Sequence, residues 1–195
     1  VYYVTDEKQQ SQYINMFKKE GLDAVILSHN IDSPFITQLE QRNETLAFKR
    51  IDSGLTDDLK SEDTVAEDDV SSLTETFRKV LEKENLDVKV EKLKNEDISA
   101  MMLLSEESRR MQDMMKMYSM PGMDANMFGA EGETLVLNAN HPLVKFVLEH
   151  KRSKSVPVIC EQLYDLAMLS HKPLSPEEMT KFVKRSNEIM LLLTK

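Results

Sequence analysis

The sequence predicts an α/β (α+β overall) fold, with a small parallel three-stranded α/β unit followed by a mixed α+β domain that ends in two helices. Three observations support this prediction. Apolar runs alternate with amphipathic segments at the start of the chain, a strongly acidic stretch follows, and two long amphipathic segments come last. We therefore expect one structural unit before the acidic stretch and a second after it.

The first unit has the pattern strand, helix, strand, helix, strand. Its expected elements are strand Tyr2–Val4, helix 7–20, strand Leu22–Ser28, a helix from Ser33-Pro34 to Gln41, and strand Thr45–Ile51. Gly21 predicts where the first helix ends, because glycine tolerates the left-handed conformation common there. The apolar run Leu22–Ser28 is typical of a strand covered on both faces. This order predicts a parallel sheet.

Residues 51–70 form an acidic stretch. They contain eight carboxylates and one lysine, so 8 minus 1 gives -7 of the chain's net charge of -9. Such a stretch is usually solvated, and we interpret residues 53–70 as a linker. A metal site is the alternative, although no glycine turn and closing glutamate of an EF-hand are present.

The second domain begins with a helix over about 72–84, where Ser72 and Glu75 form a capping-box pattern. Alternation predicts a strand around Val88 and Val90. Ile98–Leu104 favours a second strand, although this segment could also open a helix. Further on we expect a helix around Met111–Tyr118, strand Thr134–Leu137, a helix from His141-Pro142 to His150, a basic loop Lys151–Ser155, and final helices over 156–170 and 176–193. 

Methionine is unusually concentrated. Of thirteen methionines, nine lie between Met101 and Met127. Because methionine is flexible and polarizable, such a cluster can fill an irregular core or form an exposed surface that accommodates many partners. Both interpretations stay open for Met111, Met114, Met115 and Tyr118.

Few residues could carry catalysis. The five glycines do not have the spacing of a phosphate-binding loop, and the four histidines match no helical pair. Cys160 lies among apolar residues and is expected to be a buried thiol. The acidic net charge argues against a nucleic-acid partner, and no apolar run approaches the ~18 residues of a membrane span. A cytoplasmic location is the default expectation.

Several segments resemble one family in chain order: Tyr2–Thr5, Lys19–Val25, Asn30–Asp32, Ser108–Met111, Leu135–Asn138 and His141–Lys145. They are similar to the bacterial heat-shock-protein-90 chaperones, the HtpG family. The resemblance implies that residues 1–65 are the last part of a middle domain and that residues 71–195 are a C-terminal dimerisation domain. It also implies that the two final helices form an intermolecular four-helix bundle.

The resemblance assigns roles to particular residues. The expected dimer interface is Ile159, Leu163, Leu166, Phe182, Val183, Ile189, Met190, Leu192 and Leu193. The expected client-binding residues are Met111, Met114, Met115 and Tyr118. Expected partners are a second copy, unfolded or partly folded client proteins and other chaperones, in the bacterial cytoplasm.

The resemblance also implies where the chemistry of the family lies. Full-length members are ATPases that use ATP and magnesium, and their ATPase domain and assisting residues lie upstream of the position matching Val1. We therefore expect no catalysis, catalytic residue, cofactor or metal in this chain. The alternative from another class is a small α/β enzyme with a ligand crevice near Ser28–Asp32, where parallel sheets often bind ligands.

Overall fold

The computed structural model describes residues 1–105, 108, 132–192 and 194. Over these residues the protein is a mixed α+β structure with six α-helices and two three-stranded sheets, which confirms the predicted class. The chain divides into two compact units. The first comprises Val1–Leu59 and the described residues from Leu103 to Glu133. The second comprises Lys60–Met102 and the described residues from Thr134 onward.

The first unit contains a parallel sheet. Its elements are β1 (Tyr2–Val4), α1 (Ser11–Lys19), β2 (Val25–Ile26), α2 (Asp32–Arg42) and β3 (Lys49–Arg50). Strand β1 lies in the centre, and both β2 and β3 pair with it in parallel. The predicted order of strands and helices is therefore confirmed. So is the end of α1, because Gly21 adopts a positive φ of 67° directly after it.

Strand β2 differs from its prediction. The expected buried strand Leu22–Ser28 reduces to Val25 and Ile26, whose side chains are 44% and 56% exposed. The reason is position: β2 is an edge strand, whereas the buried side chains of Tyr3 and Val4 belong to the central strand. An apolar run predicts a strand but does not say where in the sheet the strand lies.

The acidic stretch contains structure that its composition did not predict. Asp52 is buried and forms a bidentate ion pair with Arg50, with Nε–Oδ1 and Nη2–Oδ2 distances of 2.7 and 2.9 Å. Leu59 is buried at the end of a 3₁₀ turn, and Lys60 pairs with Leu93 in an antiparallel bridge. The stretch ends in a helix that begins at Glu67, inside the range 53–70 that we interpreted as a linker.

The second unit places helices against a mixed sheet. It contains α3 (Glu67–Leu81), β4 (Asp87–Glu91), most of β5 (Ala100–Leu104) and of β6 (Glu133–Asn138), α4 (Pro142–Glu149), α5 (Ser155–Leu169) and α6 (Pro176–Leu192). Strand β6 lies between β4 and β5 and is parallel to β4. The segment Ile98–Leu104, which could have opened a helix, forms a strand. Helices α3, α4 and α5 pack together on one core cluster with residues of this sheet.

Helix α3 begins earlier than predicted. It starts at Glu67, so Ser72 and Glu75 lie inside the helix and the capping-box interpretation is wrong. Three acidic residues occupy its first turn, where negative charge is favourable beside the unpaired N–H groups. The acidic composition therefore marks a helix start here.

Asn138 organises the entry to α4. Its amide oxygen accepts hydrogen bonds from the backbone N–H groups of Leu93 and Asn140, both at 3.0 Å, and its amide nitrogen donates to the carbonyls of Asn95 and Ile98. His141 then caps α4 as predicted, because its Nδ1 accepts from the Leu143 N–H at 3.1 Å. Burial lowers the pKa of His141, which favours the neutral ring that this cap requires.

Candidate functional site

The candidate site is the surface formed by the last two helices. Helix α5 is the inner one, and it buries Val156, Cys160, Leu163, Tyr164, Asp165, Ala167 and Met168. Of the three predicted interface residues on α5, Leu163 is already covered within the chain, Ile159 is half-buried and Leu166 is exposed. Leu166 alone of these three is presented to solvent.

Helix α6 is the outer one, and it buries none of its seventeen residues. Among the predicted interface residues, Phe182 and Ile189 are half-buried and the others within the helix are exposed. The exposed large apolar side chains, between 37% and 62% accessible, are Met179, Val183, Met190, Leu191 and Leu192. Leu193 lies outside the described residues.

Three exposed residues form a stripe on α6. Met179, Val183 and Met190 are spaced by four and seven residues, which places them on one face of an α-helix. We call these three residues the apolar stripe. A surface helix normally turns its apolar face toward the core of its own domain, whereas α6 leaves this face uncovered in the single chain.

Polar contacts hold α6 against α5. The Arg185 guanidinium donates from Nε to Glu161 Oε2 at 2.9 Å and from Nη1 to Asp165 Oδ2 at 2.8 Å. The same Nη1 lies 3.3 Å from Gln162 Oε1, and Gln162 Nε2 donates to Ser186 Oγ at 3.1 Å. We call these contacts the Arg185 clamp. The side chains of Arg185 and Asp165 are only 10% and 12% exposed, so this pair is largely desolvated, whereas Glu161 is 45% exposed.

The Arg185 clamp was not predicted from the sequence. One signal was available: Arg185 lies three residues after Phe182 and four before Ile189, so a cation occupies the middle of a half-buried helical face. A cation in such a place usually has a carboxylate partner. Glu161 and Asp165 are spaced by four residues on the preceding helix and could have been proposed as that partner.

The start of α6 was predicted correctly. Ser175 and Glu178 form a reciprocal capping box, in which the Ser175 N–H donates to Glu178 Oε2 at 2.9 Å and the Glu178 N–H donates to Ser175 Oγ at 3.3 Å. Hydrogen bonds from the Ser175 backbone and side chain lower the pKa of the Glu178 carboxyl below its ordinary value. The box defines where α6 begins and therefore which residues form its faces.

The predicted client-binding residues Met111, Met114, Met115 and Tyr118 all lie outside the described residues. Two members of the methionine cluster are described. Met101 and Met102 lie in β5 and are buried, at 1% and 0% exposure. These two methionines therefore fill the core.

Cys160 is a buried thiol, as predicted. Its side chain is inaccessible, and burial raises its pKa to about 12. A thiol with this pKa is almost entirely protonated at neutral pH and is a poor nucleophile. Among the described residues, no group of three or more His, Cys, Asp and Glu side chains is placed to hold a metal ion.

The segment Ser28–Asp32, where the alternative enzyme would bind its ligand, leads into α2. Asp32 is the first residue of α2, and its Oδ2 accepts from the His29 N–H at 2.9 Å. The His29 Nδ1 lies 3.7 Å from the same oxygen, and its side chain is 82% exposed. The carboxylate thus stabilises the turn that precedes α2.

Comparison with known proteins matches this chain to one family. The family model described as Hsp90 protein matches residues 1–194. The Chaperone protein HtpG of Porphyromonas gingivalis is 27% identical over 207 residues, which cover 96% of this chain and 30% of that protein. The Chaperone protein htpG of Bacteroides fragilis is 29% identical over 178 residues, which cover 84% of this chain and 25% of that protein. The Chaperone protein HtpG of Buchnera aphidicola subsp. Cinara cedri is 26% identical over 203 residues, with 98% and 31% covered.

This chain belongs to the heat-shock-protein-90 family of chaperones. The relatives named above all carry the name HtpG, so the resemblance to the bacterial members is confirmed. The chain spans about 30% of the length of the first of these relatives and corresponds to a partial region of it. In the part of the chain that the structure describes, no helix is long and apolar enough to cross a membrane.

Proposed function

We propose that this chain is the segment of an HtpG-type chaperone that joins two copies and contributes a surface for client proteins. In this proposal α5 and α6 of one copy pack against the same helices of a second copy as an intermolecular four-helix bundle. Residues 1–65 belong to the end of the middle domain, and residues 71–195 form the dimerisation domain. ATP and magnesium act elsewhere in the full-length protein.

The observation that carries the dimerisation proposal is the exposure of α6. Five large apolar side chains of α6 are between 37% and 62% accessible, and Leu166 of α5 is also exposed. Exposed apolar side chains that share one helical face, as Met179, Val183 and Met190 do, mark interaction sites, because burying them releases water from apolar surface. Most homo-oligomers are two-fold symmetric, so one self-complementary surface is enough.

Substituting Val183 or Met190 by glutamate tests this proposal. Both side chains are exposed in the single chain, so either substitution should leave folding intact. In a symmetric dimer interface, which we call the seam, each substitution would bury two unpaired carboxylates. We expect Val183→Glu and Met190→Glu to be monomeric under conditions where the parent chain is dimeric. Light scattering across a dilution series measures this.

The control is Lys184→Glu, which places the same side chain on an exposed part of α6 away from the apolar stripe. It should remain dimeric. If both seam variants also remain dimeric, with the dissociation constant of the parent, the seam does not lie on α6.

The client surface is proposed for the methionine segment around Met111, Met114, Met115 and Tyr118. Its support is compositional, because seven of the clustered methionines lie beyond the two that are buried in β5. Unfolded chains present varied apolar side chains, and methionine accommodates varied shapes at low cost. The segment thus has the composition of an adaptable surface.

A double variant, Met111→Ser with Met115→Ser, tests the client surface. We expect weaker suppression of client aggregation with a nearly unchanged melting temperature, since exposed side chains contribute little to stability. The matched control is Met101→Ser, because Met101 is buried and its loss should lower the melting temperature by several degrees. A double variant that loses thermal stability as the control does, and whose folded fraction still protects clients, would contradict the assignment.

A further inference from the structure

We propose that Arg185 is a positioning residue for the dimer. By bridging α6 to Glu161, Gln162 and Asp165 of α5, it sets the rotation of α6 about its own axis and so determines which face α6 presents to a second copy. This inference rests on the proposed dimerisation through α6.

The clamp is suited to this role because its contacts come from several directions. Arg185 reaches one acceptor through Nε and two through Nη1, and those acceptors lie on two successive turns of α5. A planar guanidinium with fixed donor directions accepts few orientations, unlike a single-point lysine. Its 10% exposure also strengthens the charged hydrogen bonds by excluding water.

Apolar packing by itself defines this rotation only weakly in the single chain, because Phe182 and Ile189, which flank Arg185 on the same face, are only half-buried. None of the residues Pro176–Leu192 is fully buried, so no apolar side chain of α6 is enclosed on all sides. Apolar residues also point in several directions: at roughly 100° per residue, Leu191 and Leu192 lie well away from the apolar stripe. A rotated α6 would therefore still present apolar surface, but a different set of residues.

The clamp turns the apolar stripe outward. Relative to Arg185, the helical positions of Met179, Val183 and Met190 lie roughly 120 to 160° around the axis. With Arg185 held against α5, the stripe faces away from α5, as the exposure of its three members requires. The polar contacts of Arg185 thus select which of the apolar faces of α6 is presented to a second copy.

Disulfide cross-linking between copies tests the orientation directly. The native Cys160 is inaccessible and can stay in place. Single cysteines are introduced at stripe positions and at exposed positions off the stripe, in the parent chain and in Arg185→Gln: Met179, Val183 and Met190 on the stripe, and Lys181, Lys184 and Glu188 off it. Cross-linked dimers are quantified after mild oxidation, and dissociation constants are measured in parallel by sedimentation equilibrium.

In the parent chain we expect cross-links at stripe positions and little at the other three. In Arg185→Gln we expect cross-linking to spread to off-stripe positions and the dissociation constant to rise about tenfold, because α6 must then be oriented during association. Arg185→Lys should restore the parent pattern in part. Lys184→Gln removes a neighbouring cation without touching the clamp and should match the parent.

Two different negative results are distinguishable. If Arg185→Gln keeps both the parent cross-linking pattern and a dissociation constant within about twofold, the positioning role is wrong and the dimer proposal stands. If the parent chain itself is monomeric, or cross-links at none of the six positions, dimerisation through α6 is wrong. Should Arg185→Gln fail to fold, Gln162→Ala, which removes the contacts to Arg185 and Ser186, carries the same expectations at smaller amplitude.

Discussion

The last two helices of the chain contact each other and are similar in length, but they differ in how many of their residues are buried. Helix α5 has 15 residues and buries seven of them, whereas α6 has 17 and buries none. Helix α5 directs apolar side chains into the core of its unit, while α6 is held against α5 by the Arg185 clamp and leaves its apolar stripe exposed. The comparison teaches that apolar content does not decide which face of a helix is buried. The neighbouring surface decides it, and α6, which contacts α5 through polar groups, leaves its apolar stripe exposed in the single chain.

The largest expected difference between the two helices is in thiol reactivity. Burial raises the pKa of Cys160 on α5 to about 12, so its thiolate fraction near pH 8 is about a thousandfold or more below that of an ordinary exposed cysteine. A cysteine introduced on α6 by Lys184→Cys is exposed and should react at an ordinary rate. Alkylation followed by mass spectrometry compares the two sites in one molecule. Equal rates in the folded protein would show that α5 is not buried as described.

The next largest difference is in stability. Leu163 and Leu166 lie three residues apart on α5, at 1% and 43% exposure, so they form a matched pair. Leu163→Ala should lower the free energy of unfolding by about 3 kcal/mol, from lost burial and a residual cavity. Leu166→Ala should change it by less than about 1 kcal/mol in the monomer. Urea unfolding at a concentration where the protein is monomeric measures both, and similar values would remove the distinction between inner and outer faces.

A third prediction concerns the dissociation constant of the proposed dimer. Leu166→Ala, nearly silent in the monomer, should weaken association, because Leu166 is the exposed member of the predicted interface on α5. The expected loss is about 1 to 2 kcal/mol per dimer, or roughly tenfold in the dissociation constant. Sedimentation equilibrium measures it. An unchanged constant would restrict the seam to α6.

The smallest effect is expected at the start of α6. The hydrogen bonds from Ser175 lower the pKa of Glu178, so the ionised carboxylate is favoured in the folded state. This contribution is complete above the ordinary pKa and is lost as the pH falls through the lower folded value, so α6 should become less stable in acid. Glu178→Gln should remove this pH dependence at a cost of about 0.5 to 1 kcal/mol. Hydrogen exchange of the first-turn amides of α6, followed from pH 7 into acid, tests this prediction.

Predictions of where helices begin and end were mostly correct. Gly21 ends α1, His141 and Pro142 begin α4, and the Ser175–Glu178 box begins α6, each within a few residues of its expected place. The exception is α3, where a good capping-box pattern at Ser72 lies inside a longer helix. A cap requires an unpaired N–H group, and at Ser72 the helix already continues from Glu67.

The candidate site was only partly predictable. Most of the expected interface residues on α6 are ones that the single chain leaves uncovered, because Val183, Met190 and Leu192 are exposed. The sequence pattern could not indicate that Leu163 of α5 is already buried within the chain, or that Arg185 is placed against two carboxylates of α5. Both facts depend on how two helices are rotated against each other, which the periodicity of either one leaves open.

The sequence by itself determined the order of strands and helices, most helix ends and, through scattered short segments, the family. These features depend on residues within a few positions of each other. Only the tertiary structure decided which apolar residues are buried, that Arg185 pairs with Glu161 and Asp165, and how Asn138 bonds residues 40 and 45 positions away. The physical reason is that burial and long-range hydrogen bonds depend on the residues that pack opposite a side chain, and those residues come from distant parts of the chain.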